Sequence, residues 1–217
     1  VLSGAGYDRT FDLVPGDHPT PAALPVTRGR WQDVRLGHDT VTVPEGAALD
    51  LGATGKAFAA DLVALSVADQ CGVPVLVSVG GDVRAVATGS DAPAYAVVLG
   101  HSVADLAAGG ARAVVTVTEG GIATSSVSAR RWRRGGRQWH HLIDPRTGTP
   151  ADGPVRTVTA LGHTAVAANT ATTAAVVLGE AAWAWLVEHG VAARLVDHEG
   201  LVTRTPAWTA SGIEEAS

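Results

Sequence analysis

A chain of 217 residues, 46% hydrophobic and 17% charged, can bury a sizeable core and is too apolar to be disordered or fibrous. Its net charge of -5 gives no electrostatic reason to expect nucleic acid as a partner, in spite of the basic run Arg130, Arg131, Arg133 and Arg134. The one cysteine, Cys71, rules out an internal disulfide and a cysteine-rich metal cluster, and no uninterrupted apolar run suggests a membrane span.

In chain order, the first thirty residues are rich in Gly, Asp and Pro (Pro15, Gly16, Pro19, Pro21, Pro25) and read as loop. Residues 34–43 alternate as a strand pair around Gly37-His38-Asp39. Residues 54–69 place Ala, Phe and Leu at helical spacing behind a glycine turn, and Cys71 at the end of that pattern is expected to be a buried thiol. Short strands are expected over 75–79, 83–87, 95–99, 113–117 and 122–124, the first ending in Gly80-Gly81-Asp82. An arginine-rich hairpin or loop follows at 130–138, and a strand through His140 and Ile143 runs into the tight turn Asp144-Pro145-Arg146-Thr147-Gly148. A strand at 155–161, helices at 163–178 and 180–189 parted by Gly179, and a closing hairpin at 193–196 and 201–204 complete the chain. Strands and helices interleave without a βαβ repeat. The pattern predicts an α+β fold with a largely antiparallel sheet and packed helices, in one domain spanning residues 1–217.

Lysine and asparagine each occur once, at Lys56 and Asn169, while arginine is frequent. Such a bias suits a GC-rich genome, in which a surviving Lys or Asn is held by chemistry. Lys56 lies in Asp50-Leu51-Gly52-Ala53-Thr54-Gly55-Lys56, where a strand end, a glycine turn and a helix start would offer backbone N–H groups and an ammonium to an anion, or serve as ordinary capping. The spacing and Ala57 after the lysine exclude a Walker A loop. In His141-Leu142-Ile143-Asp144-Pro145-Arg146-Thr147-Gly148, His141 and Ile143 share one side of the expected strand; the histidine is either a proton acceptor for a hydroxyl nucleophile or part of a structural turn. Asn169 and Thr173 stand four apart on a helix, a pair of hard oxygens for Mg²⁺ or simple polar packing. Gly100-His101-Ser102-Val103-Ala104 imitates a hydrolase elbow but lacks its final glycine, and no dinucleotide fingerprint is present.

The order of these motifs resembles the FAD:protein FMN transferase (ApbE) family. Gly6-Tyr7-Asp8, Asp50-Leu51-Gly52 through Lys56 to Asp61, Val79-Gly80-Gly81-Asp82, Ile122-Ala123-Thr124-Ser125, His141 through Gly148 and Ala168 through Gly179 are each similar to a family segment, in the family's sequence. The resemblance implies an ApbE-like, T-fold-related architecture and Mg²⁺-dependent transfer of FMN from FAD to a Ser or Thr hydroxyl of a target protein, with release of AMP. It further implies that Gly6, Tyr7, Asp8, Asp50 and Lys56 contact FAD, that Ile143 lies near the flavin ring, and that His141 is the catalytic base beside the phosphates. The Ala53 carbonyl with Asn169 and Thr173 would hold the metal. Asn169 stands where the family carries a metal-binding Asp, an exchange that removes one formal charge. A flavin-binding homologue with little transfer activity, or a metal-dependent FAD pyrophosphatase, is the alternative. The absence of methionine leads us to expect residues upstream of Val1, where the family's N-terminal part, and any export signal, would lie.

Overall fold

The apolar alternation on either side of Gly80-Gly81 folds as a tight antiparallel hairpin, and the larger part of the chain is built around it. The structure, a computed structural model, describes residues 2–3, 5–8, 11, 14, 31–45, 49–101, 106–109, 113–211 and 215–216. Most of the turn-rich start, and Ser102 to Ala104 of the elbow-like segment, lie outside the described residues. Contacts divide the chain into two compact units, Gly52–Ala129 with Ala151–Ser217 and Val1–Leu51 with Arg130–Pro150, each described separately.

The larger unit holds a six-stranded sheet in which every pairing is antiparallel. In spatial order the strands are β14 (Val202–Arg204), β13 (Ala193–Asp197), β12 (Val155–Gly162), β7 (Gly120–Ser126), β4 (Asp82–Val86) and β3 (Val75–Val79). Side chains alternate across a sheet, and each face here has a different cover. On one face lie the helices α1 (Gly55–Cys71) and α2 (Ala165–Leu178). Their buried stripes are mostly alanine: Ala57, Ala60, Ala64 and Ala68 on α1, and Ala165, Ala168, Ala171 and Ala175 on α2. Small side chains let both helix backbones approach the sheet closely, which brings their polar residues within reach of strand side chains. On the other face, β5 (Tyr95–Leu99) and β6 (Ala113–Val117) form a second antiparallel layer, with Leu99, Val115 and Trp208 packed on Val83, Ala85 and Ile122. These observations establish the α+β, antiparallel class expected from the pattern.

The stretch Ala165–Glu188 is long and apolar enough to cross a membrane by length and composition alone. It is broken by a 3₁₀ turn at Gly179–Ala181 before α3 (Ala182–Glu188). Its first half buries Asn169 and Thr172.

The smaller unit consists of hairpins: β1 (Arg35–Leu36) with β2 (Val41–Thr42), β8 (Arg131–Arg134) with β9 (Arg137–His140), and β10 (Ile143–Asp144) with β11 (Thr149–Pro150). Trp132 and Trp139 face each other across β8 and β9, and Ala5, Tyr7 and Ile143 pack on them.

Three local expectations are corrected. Cys71 is exposed: the buried stripe of α1 ends at Ala68, and a left-handed cap at Gly72 turns the chain away. No single strand joins His140 to Ile143; β9 ends at His140, and His141 and Leu142 form a bend in which the Leu142 N–H donates to His140 Nδ1 at 3.3 Å. His141 and Ile143 are therefore not neighbours on one strand face. Nor does a strand precede the glycine turn, since residues 49–51 have no regular structure.

Candidate functional site

The glycine turn between β3 and β4 is a two-residue loop, with Val79 paired to Asp82 and positive φ at both Gly80 and Gly81. Two successive positive φ values define the hairpin turn that favours glycine in both places. The turn presents Asp82 to the helix face of the sheet. There the Lys56 ammonium donates to Asp82 Oδ2 at 3.2 Å, and Asn169 Nδ2 donates to Asp82 Oδ1 at 2.9 Å. The only lysine and the only asparagine of the chain thus share one buried carboxylate, and the stem of Lys56 lies against Gly80.

Geometry fixes the amide's orientation. A carboxylate can only accept, so the nitrogen of Asn169 must face Asp82 and Oδ1 must point elsewhere. Asn169 Oδ1 is buried and accepts no hydrogen bond, a cost a fold seldom leaves in place without a reason. One turn further on, Thr173 Oγ1 lies 3.4 Å from Ser125 Oγ, which is also 2.9 Å from Thr172 Oγ1.

The two helix starts are treated differently. At α2, Thr164 accepts from the Ala167 N–H, and Asp61 of α1 accepts from the N–H groups of Ala165 and Val166 at 2.8 and 3.0 Å. Arg84 completes this tie, with its Nε 3.8 Å from Asp61 and Nη1 donating to the His163 carbonyl. At α1, Thr54 occupies the cap position and its side chain makes no capping bond. The capped end holds α2 and Asn169 in place, while the other end presents the first-turn amides beside Lys56. Chemically, this arrangement offers an anion an ammonium and helix amides, and offers a cation or a donor one spare amide oxygen.

The predicted residues fall into two sets. Ala53, Lys56, Asn169 and Thr173 belong to the larger unit, with Ala53 exposed in the turn before α1. Gly6, Tyr7, Asp8, Asp50, His141 and Ile143 belong to the smaller. There, Gly6 has a φ of 94° and lies against the Arg134 guanidinium, Trp132 Nε1 donates to the Ala5 carbonyl at 2.9 Å, and the Tyr7 ring packs tilted against Trp132 with centroids 5.5 Å apart. Ile143 joins the same aromatic cluster, whereas Asp8 and Asp50 are exposed and His141 is partly buried in its bend.

The Asp-Pro-Arg-Thr-Gly signature is explained locally. Asp144 Oδ1 accepts from the Arg146 N–H at 2.8 Å and the carboxylate takes the Arg146 guanidinium through Nε and Nη2, while the Asp144 carbonyl accepts from Gly148 N–H at 2.8 Å. The Arg146 hydrogen bonds hold the Asp144 carboxyl below the usual carboxylate range against the opposing effect of burial, and Asp144 in turn raises Arg146.

Asp82 is the residue that sequence reasoning passed over as a site residue, although it ends the Gly-Gly-Asp segment. The available signal was a two-glycine turn, which guarantees that the following side chain sits at a fixed place on the sheet. In the sequence Asp61 is only the end of the segment that begins at Asp50, and its capping role needs a partner about a hundred residues away.

An antiparallel sheet with a lysine, a carboxylate and an amide gathered at a helix start defines an α+β protein with the chemistry to handle an anionic ligand. The ApbE family model matches residues 6–195, and the chain belongs to the ApbE family. It is 30% identical over 154 residues to the FAD:protein FMN transferase of Klebsiella pneumoniae, covering 68% of this chain and 45% of that one. It is also 30% identical over 190 residues to the FAD:protein FMN transferase of Treponema pallidum, covering 82% and 52%. The chain spans about half the length of these curated relatives. Among solved structures, the ApbE protein of Thermotoga maritima shares the fold at a TM-score of 0.74 and 22% identity, over 96% of this chain and 68% of that one. The flavinyl transferase ApbE of Pseudomonas stutzeri matches at a TM-score of 0.67 and 26% identity, over 82% and 56%.

Proposed function

We propose that this chain carries the catalytic part of a FAD:protein FMN transferase. The observation that carries the reading is the meeting of Lys56 and Asn169 on Asp82, with the Asn169 carbonyl oxygen left over, in a chain of the ApbE family. In the proposed reaction a Ser or Thr hydroxyl oxygen of a target protein attacks the FMN-side phosphorus of the FAD pyrophosphate. The bond from that phosphorus to the bridging oxygen breaks, AMP leaves with the electron pair, and the hydroxyl proton passes to His141. Such transfers need positioning and charge neutralisation more than covalent help from the protein. Lys56, aimed by Asp82, contributes a fixed positive charge to the phosphates, with Asp50, Gly6, Tyr7 and Asp8 as further FAD contacts and Ile143 at the flavin ring.

The residues also fit a divalent cation of modest affinity. Asn169 Oδ1 is a buried oxygen in need of a partner, and Thr173 Oγ1 is a second hard donor one turn away. Among the described residues no cluster of three or more His, Cys, Asp or Glu exists, so the compensating charge has to come from phosphate oxygens of the ligand. Asn169, Thr173 and the Ala53 carbonyl would hold Mg²⁺, which when bound supplies further neutralisation of pyrophosphate charge. The neutral Asn169 favours a second reading, a homologue that holds FAD and transfers FMN poorly or not at all.

Incubation with FAD, Mg²⁺ and a Ser/Thr acceptor peptide tests both. The proposal expects a fluorescent peptide heavier by one FMN and a stoichiometric yield of AMP. Bound FAD that stays intact establishes the second reading, and FMN with AMP but no adduct identifies a pyrophosphatase.

A further inference from the structure

The Asp82 carboxylate divides its two oxygens between two donors, Oδ2 taking the Lys56 ammonium and Oδ1 the Asn169 amide nitrogen. That sharing polarises the amide. An N–H given to a carboxylate shifts electron density onto the amide's own oxygen, and Asn169 Oδ1 is buried and accepts no hydrogen bond. The carboxylate thus sits one hydrogen bond behind the oxygen proposed to ligate the cation. A carboxylate in such a place orients a metal ligand and makes it more basic.

The backbone around Asn169 has little room to adjust. A Cβ on Gly121 of β7 would stand 2.2 Å from the Thr164 carbonyl carbon, and one on Gly162 of β12 would stand 2.9 Å from the Ala168 nitrogen. Asp61 and Thr164 tie down the start of α2, and Thr172 Oγ1 donates to the Asn169 main-chain carbonyl. With the helix held, the Asn169 amide keeps one freedom, a half-turn that exchanges its oxygen and nitrogen. Asp82 decides between the two orientations, because a carboxylate accepts and cannot donate.

We propose that Asp82 is the positioning residue for cation binding. It turns Asn169 Oδ1 away from the carboxylate and toward the cation, and supplies from one hydrogen bond away the charge that Asn169 lacks. Asp82 has this role only if Asn169 ligates the cation, as proposed for the flavin transfer. The same carboxylate offsets the charge of Lys56, so its effects on an anion and on a cation have opposite signs.

Asp82→Asn tests this, because an asparagine there satisfies both neighbours after one rearrangement. Its oxygen accepts from Lys56 and its nitrogen faces Asn169, whose amide then rotates, accepts through Oδ1 and leaves its NH₂ on the cation side. The variant should melt within about 4 °C of the parent. The whole chain is titrated calorimetrically with inorganic pyrophosphate, once with saturating Mg²⁺ and once in EDTA. The Mg²⁺ complex should bind about tenfold more weakly to Asp82→Asn than to the parent. Metal-free pyrophosphate should bind no more weakly, since Lys56 has lost its counter-charge. Transposing the pair, Asp82→Asn with Asn169→Asp, again sets a donor against an acceptor and puts the charge on the ligand itself. The transposed chain should bind the Mg²⁺ complex at least as tightly as the parent. In the unsubstituted chain the sole asparagine gives one asparagine side-chain amide signal, a readout that does not depend on the variants folding. The Mg²⁺ complex should shift it, and pyrophosphate in EDTA should shift it much less. Equal weakening with and without Mg²⁺ in Asp82→Asn, a transposed pair no better than that single variant, or an unmoved Asn169 signal would overturn the proposal. Neither flavin nor acceptor is present, so a failure of FMN transfer leaves these results standing, and transfer by the parent does not supply them.

Discussion

Two glycine turns carry an aspartate bonded to a basic side chain, and they differ in how far the chain must fold to make the bond. Asp144 takes Arg146, two residues on, in a turn whose guanidinium is largely in solvent. Asp82 takes Lys56 and Asn169, which lie 26 and 87 residues away, on a carboxylate that is 3% exposed. The first pair forms as soon as the hairpin does. The second exists only after two helices have docked on the sheet, so it reports the tertiary structure and depends on it.

The largest expected effect tests that dependence. Asp82→Ala leaves the buried Asn169 amide and the half-buried ammonium without their acceptor, and chemical denaturation should show a loss of about 3 kcal/mol. A loss below about 1 kcal/mol would mean that the cluster adds little to the fold. Next comes the question whether the local turn supports chemistry. His141→Ala should slow FMN transfer by about 100-fold, while FAD affinity changes by less than about threefold. Normal turnover with poor FAD binding would remove His141 from the base role.

Asn169→Asp sharpens the comparison from the other side. A carboxylate in place of the donating amide faces Asp82 across the former 2.9 Å hydrogen bond, and two like charges there should cost about 2 kcal/mol in EDTA. Added Mg²⁺ should restore more stability to the variant than to the parent, because the new ligand carries charge. Equal Mg²⁺ shifts in thermal melts would argue against Asn169 as a ligand. Smaller still are two glycine substitutions. Gly80→Ala and Gly148→Ala both force a residue with a side chain into positive φ, at about 1 kcal/mol each. Only Gly80→Ala also pushes on the Lys56 stem, 3.0 Å from the added Cβ, so only it should change FAD affinity.

The smallest effect is the pH dependence of the pair formed by the buried Asp144 and the exposed Arg146. Arg146 lowers the Asp144 pKa in the folded chain, so the folded state binds this proton less readily than the unfolded one. The stability it adds is present at neutral pH and fades as pH falls through the acid carboxylate range. Arg146→Gln should shift the Asp144 carboxyl resonance titration to higher pH and flatten the acid limb of the stability curve. An unmoved titration would show that the guanidinium does not set it.

Sequence alone carried the periodic elements, the α+β class, the tight turn over the Asp-Pro-Arg-Thr-Gly segment and the family resemblance. Each of these depends on residues close along the chain, where spacing maps directly onto geometry. Tertiary structure decided the rest. Cys71 follows the helical stripe and is nonetheless exposed, because burial depends on where the sheet ends. Asp61 caps a helix from about a hundred residues away, and β12 shifts register between Val155 and Thr157, a break that composition does not encode. The meeting of Lys56 and Asn169 on Asp82 is of the same kind: a contact between distant segments has no period to read and becomes visible only when the chain has folded.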